Sequence, residues 1–152
     1  DIRGRHVKPW DAILAIQRAA VGPIEQGNVG AGVGMSCFQM KGGIGSSSRI
    51  VQGQSGVSYV VGMLALANFG LLKDFQLDGV PVGRFLLRQT GYIPGSLILV
   101  GITDAPLSRW QLTWLAGRAE LGLGRTGSIS MTGSGVFCLM VSTYQGSKDN
   151  YL

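Results

Sequence analysis

The sequence is poor in the residues that most enzymes use for proton transfer and metal binding. Its 152 residues hold one histidine, His6, with eight acids and two cysteines. A Ser-His-Asp triad would have to recruit His6, which stands beside Arg5 at the start of the chain, where a surface or structural role fits better. Eight scattered carboxylates do not assemble into a catalytic pair. Cys37 and Cys138 lack the spacing of metal ligands, so neither metal nor cofactor is expected. Both sit in apolar, strand-like runs. A single disulfide is open to them, but they read as two buried thiols of a reducing compartment, which favours the cytoplasm and leaves the periplasm open. The longest apolar run, Val57–Phe69, is interrupted by Ser58, Tyr59, Gly62 and Asn68. It is too short and too polar for a membrane span. No basic-then-apolar leader opens the sequence.

Charge is also scarce, at 14% of residues, yet it is lopsided. Lys and Arg number 13 against eight acids, giving +5 and a pI near 9.6. That balance raises nucleic-acid binding. The basic residues are scattered, however, and do not alternate with aromatics. A generally basic surface explains them, and no nucleic-acid partner is expected.

What the chain does have is glycine and apolar residues: 25 glycines, a 45% hydrophobic fraction and positive mean hydropathy. This describes a single α/β domain over residues 1–152. Pro9–Ala20 reads as a helix with proline in its first turn. Met35–Met40 reads as a strand after a glycine-rich loop over 27–34, and 42–48 as a second loop. Further strands are expected at Arg49–Val51, Val57–Ala67 and, briefly, Phe75–Val80, with Asp78-Gly79 as a turn. Val82–Gly95 reads as an exposed linker and Leu97–Ile102 as a strand. Ser108–Leu121 is a helix opened by a Ser108/Gln111 capping box and closed by Gly122 and Gly124. Strands Ser128–Thr132 and Val136–Thr143 follow. Helices interleaved with strand runs imply sheets with helices packed outside.

The loop "GNVGAGVGMS" fails the dinucleotide fingerprint, because Met35 stands where the third glycine is required, and no G-K-[ST] follows. The segment "GYIPGSLILVGITDAPL" poses a different problem. Gly95-Ser96 sits directly before a buried-looking strand. Pro-Gly-Ser is ordinary turn chemistry. It is also a possible cleavage point, and a serine at a chain start carries its own base. An α-amino group has a reference pKa of about 7.7–8.0 and can take the hydroxyl proton near neutral pH. Such chemistry needs no histidine.

"GNVGAGVGMSCFQMKGGIGSSSRIV", "VGMLALANFG", "DGVPVG", "GSLILVGITDAPL" and "LGLGRTGSISMTGSG" together resemble the autoprocessing serine aminopeptidases. These comprise the D-aminopeptidases, L-aminopeptidase/D-esterases and β-peptidyl aminopeptidases, and the likeness extends from Asp1 to about Tyr144. The resemblance implies a four-layer αββα sandwich of the type shared with ornithine acetyltransferases, partial in this chain, which would supply most of its two sheets. It implies self-cleavage between Gly95 and Ser96, into 1–95 and 96–152. Ser96 would be the nucleophile, Asn68 an oxyanion donor, and Ser134 a hydrogen-bonding neighbour of the nucleophile and its amine. The substrate would be a peptide or an amino-acid amide or ester. The cleaved subunits would stay together and form homo-oligomers.

Two departures stand out. Val136 occupies a position that is usually acidic in such proteins. The acidic motif that binds the substrate's amino group lies upstream of the segment resembling "DIRGRHV", so the chain reads as an internal fragment that also lacks the end of the smaller subunit. Two other roles remain open on the sequence: an acyltransferase of the ornithine-acetyltransferase type, and an inactive truncated homologue that only folds or associates.

Overall fold

The computed structural model describes residues 2–86, 95–129, 133 and 135–146. Its centre is a four-stranded sheet in the order β3-β4-β5-β6. These strands are Gly43–Gln52, Ser58–Asn68, Ser96–Thr103 and Val136–Ser142. The first two pairings are antiparallel and β5–β6 is parallel. A two-stranded ribbon, β1 (Ser36–Cys37) with β2 (Met40–Lys41), lies beside it. The parallel β5–β6 pair needs a crossover, and α2 (Arg109–Gly117) with α3 (Ala119–Arg125) provides it. Helix α1 spans Pro9–Gln17, where the Asp11 carboxylate accepts from the Lys8 N–H at 2.6 Å. The α/β class read from the sequence is therefore present. Among the described residues, the sheets are this four-stranded one and the two-stranded ribbon.

Strand alternation gives the sheet two unlike faces. Val61, Met63, Ala65, Leu97, Leu99 and Met140 face α2 and α3 across an apolar cleft of about 540 Å³. The opposite face carries Leu64, Leu66, Ile98, Val100, Phe137 and Leu139 in register across β4, β5 and β6. It is largely open, with Phe137 at 72% and Leu139 at 59% exposure. A strand that is apolar on both sides, as β5 is, expects cover on both. Here one side has it.

Several sequence expectations shift. The strand expected over Met35–Met40 is the β1–β2 hairpin, because Phe38 and Gln39 adopt φ of 49° and 61° and reverse the chain. The loop expected over 42–48 is instead the first half of β3; Ser46, Ser47 and Ser48 pair with Leu64, Met63 and Gly62. Phe75–Val80 forms only an isolated bridge, Leu77 with Val80, around the Asp78-Gly79 turn. The capping box is present, with Gln111 N–H donating to Ser108 Oγ at 3.3 Å and Ser108 N–H to Gln111 Oε1 at 2.8 Å. The helix breaks at Arg118, and Gly122 and Gly124 lie inside α3 rather than ending it. Most of the linker expected over Val82–Gly95, and most of the strand expected over Ser128–Thr132, lie outside the described residues. Val82–Arg84 is a short 3-10 turn.

Candidate active site

The sheet register brings the principal candidates together. Asn68 ends β4 and Ser96 begins β5, and the two are direct partners across the antiparallel pair. Partners across a strand pair project to the same face. Ser96 is exposed and Asn68 half-buried, at the end of the open face. The Gly135 N–H donates to Ser96 Oγ at 3.3 Å, and the Leu97 N–H donates to the Gly135 carbonyl at 2.9 Å. Gly135, just ahead of β6, therefore holds the start of β5 by backbone and hydroxyl together.

Gly95 packs its Cα against the backbone of Asn68 and Phe69. A Cβ there would run into the Asn68 carbonyl oxygen. Glycine on the acyl side of the Gly95–Ser96 bond is thus a steric requirement of this packing, a reason that the sequence pattern alone does not supply.

Asn68 has a fixed orientation. Its Oδ1 accepts from the Ser36 N–H at 3.1 Å. Only oxygen can face that donor, so the amide nitrogen points the other way. Among the described residues, Asn68 Nδ2 has no hydrogen-bond acceptor. A neutral N–H donor left uncommitted beside a hydroxyl is the arrangement needed to meet a developing oxyanion.

Ser134 lies outside the described residues. Its neighbour Gly135, which the sequence did not single out, is the group seen bonding Ser96. Val136 pairs with Leu97 and lines a pocket of about 210 Å³ whose wall also includes Glu120 of α3. Glu120 thus places a helix-borne carboxylate in the same pocket wall as Val136. His6 is exposed ahead of α1, and no hydrogen bond joins it to Ser96. Cys37 and Cys138 are free thiols. Burial pushes Cys37 up from 9.0 to about 11 and raises Cys138 as well. Neither is poised as a thiolate nucleophile. Among the described residues, no group of three or more His, Cys, Asp or Glu could hold a metal ion, and no helix is long and apolar enough to cross a membrane.

Comparison with known proteins shows the family and the fold. The model of peptidase family S58 matches residues 1–150. The chain is 44% identical to the β-peptidyl aminopeptidase BapA of Sphingosinicella microcystinivorans and 37% identical to that of Sphingosinicella xenopeptidilytica. Each alignment covers 94% of this chain, but the chain spans only 40% and 39% of those relatives. Among solved structures, the PH0078 protein of Pyrococcus horikoshii OT3 superposes with a TM-score of 0.84 at 49% identity, over 93% of this chain and 39% of that one. An L-aminopeptidase D-Ala-esterase/amidase from Ochrobactrum anthropi, described as a variant of the Ntn hydrolase fold, gives 0.83 at 36% identity, over 100% of this chain and 42% of that one.

Proposed function

This chain belongs to peptidase family S58, and from that premise we propose that it carries the nucleophile-bearing part of a serine aminopeptidase that generates its own active site. The observation that carries the reading is the pairing of Asn68 with Ser96, with Gly95 packed on the Asn68 carbonyl. Ser96 Oγ attacks the Gly95 carbonyl carbon, and its proton passes to the departing Ser96 nitrogen. The ester that results is hydrolysed by water, which leaves a Gly95 carboxylate and a Ser96 bearing a free α-amine and hydroxyl.

In turnover the α-amine is the base. It takes the Ser96 hydroxyl proton as Oγ attacks the carbonyl of a peptide, or of an amino-acid amide or ester. The Asn68 amide donates to the oxyanion, the leaving group takes the proton, and water releases the acyl group. Ser134 is proposed to bond the hydroxyl and amine. The open face of the sheet is where the remainder of the αββα sandwich is proposed to pack, holding residues 1–95 and 96–152 together after cleavage and supporting a homo-oligomer.

The test combines intact mass with a pH–rate profile. The wild-type full-length protein is expected to split at Gly95–Ser96, and Ser96→Ala to stay whole and lose turnover by on the order of 10⁶-fold. Activity should rise as the amine deprotonates, near its reference of about 7.7–8.0, and His6→Ala should leave that limb in place. A Ser96→Ala protein that still cuts there, or a limb lost with His6, would rule the assignment out.

A further inference from the structure

The β1–β2 hairpin reverses through Phe38 and Gln39, both at positive φ. That is the signature of a type I′ turn, a conformation normally given to Asn-Gly. A phenylalanine and a glutamine there are strained, and strain of this kind persists only where the surroundings over-determine it. The surroundings are visible. Phe38 is 3% exposed and meets Phe69 edge-on at 5.3 Å and Phe75 at 4.8 Å between ring centroids. Gly70 lies under its ring, where a Cβ would collide. Gln39 Oε1 accepts from the Leu72 N–H at 3.0 Å.

Apart from the Phe75 ring, these contacts fall on the five residues Asn68–Leu72. Ser36 N–H donates to Asn68 Oδ1, Phe38 N–H to the Phe69 carbonyl at 2.7 Å, and Leu72 N–H to Gln39. On its other side the same backbone carries Gly95. The end of β4 is thus held between the hairpin and the Gly95–Ser96 bond. We propose that the hairpin Ser36–Lys41 is a positioning device for the Asn68 amide, fastened by Phe38 and Gln39, and that its strained tip fixes which way the amide donor points. The inference rests on Asn68 serving as the oxyanion donor. Gln39 is a positioning residue: it acts on the reaction through Asn68 and touches no reacting atom.

The experiment uses the full-length protein and a chromogenic amino-acid anilide. Gln39→Gly removes the acceptor for Leu72 while relieving the positive φ, so the turn itself is not weakened. Gln39→Asn is a second variant that tolerates the conformation but is one methylene too short. Both are expected to lower kcat on the order of ten- to a hundredfold, with KM nearly unchanged, because a small misplacement of a catalytic donor is costly. Gln39→Glu keeps an oxygen acceptor and should restore kcat. In an Asn68→Ala background, Gln39→Gly should cost nothing further, since residues acting through one group are non-additive. Unchanged kcat in Gln39→Gly and Gln39→Asn, or an equal loss with and without Asn68, overturns the proposal. Turnover that survives Ser96→Ala fails the nucleophile reading instead. Normal dependence on Ser96 with an additive Gln39 loss fails the hairpin alone.

Discussion

The two ends of the β4–β5 pair are built from similar residues and finished differently. At the far end Thr103, 2% exposed, both gives and receives: its Oγ1 donates to the Val60 carbonyl at 2.8 Å and accepts from the Ala105 N–H at 3.1 Å. Asp104 Oδ1 accepts from the Val60 N–H at 2.7 Å, and Ser142 Oγ donates to the Ala105 carbonyl at 2.6 Å. At the other end Asn68 and Ser96 each accept one backbone N–H. Among the described residues, their own donors have no acceptor. A saturated polar cluster fastens a sheet. An oriented cluster with uncommitted donors fastens it and keeps a hydrogen bond for something else. The difference separates a saturated end of the strand pair from one that keeps donors in reserve.

The most severe way to break this contrast is Gly95→Ala. The added methyl meets the Asn68 carbonyl and cannot be relieved by a rotamer, because the obstacle is backbone. We expect self-cleavage and turnover to be lost together, read as an uncut chain by intact mass. Efficient cutting in this variant would show that Gly95 does not pack on Asn68 when the bond reacts.

Removing the uncommitted donor comes next. Asn68→Ala should lower kcat by about 10²–10³, equivalent to ~2.7–4 kcal/mol, without moving the pH midpoint, since an amide does not titrate. A shifted midpoint in the pH–rate profile would place Asn68 on the base instead. At the far end, Thr103→Val removes a buried hydroxyl with two partners. It should cost about 1–3 kcal/mol in denaturant unfolding and leave kcat per folded molecule unchanged. If kcat fell in step with stability, the two ends would be coupled.

The sequence made parts of this contrast legible and hid others. Ser96 and Asn68, the proposed nucleophile and donor, are reachable because "ANFG" and "GSLILVGITDAPL" are contiguous motifs. Their pairing across the sheet was not, since register is a long-range property. Phe38-Gln39 reads as strand in the sequence because neither residue carries a turn signal; tertiary packing overrides local propensity there. Ser46-Ser47-Ser48 reads as loop for the complementary reason, three small polar residues made into strand by pairing with β4. Gly122 and Gly124 looked like helix stops, yet α3 runs through them, close to the cleft where Gly122 and Leu123 line the contact with the sheet. In the sequence Thr103 and Asp104 are only part of a motif, and their hydrogen bonds show that they close the sheet.

The smallest effect tests whether the site end is the one tied to a half-buried thiol. Cys37 follows Ser36, whose N–H orients Asn68, and burial raises its pKa from 9.0 to about 11. Below pH 9 the thiol is neutral in both folded and unfolded chains, and its contribution to stability is fully present. Between pH 9 and about 11 the unfolded chain loses the proton first, so stability falls as pH rises through that window and the loss is complete above it. A shift of that size corresponds to ~2.7 kcal/mol if fully buried, and to about 1 kcal/mol once the partial solvent access of the side chain is allowed for. Cys37→Ala has no such proton. Urea midpoints at pH 8 and pH 11 should therefore fall further for wild type than for Cys37→Ala. Thr103→Val, which alters no titrating group, should track wild type at a constant offset. Identical alkaline losses in wild type and Cys37→Ala would mean that the hairpin opens Cys37 to water, and would loosen the hold on Asn68 that the site requires.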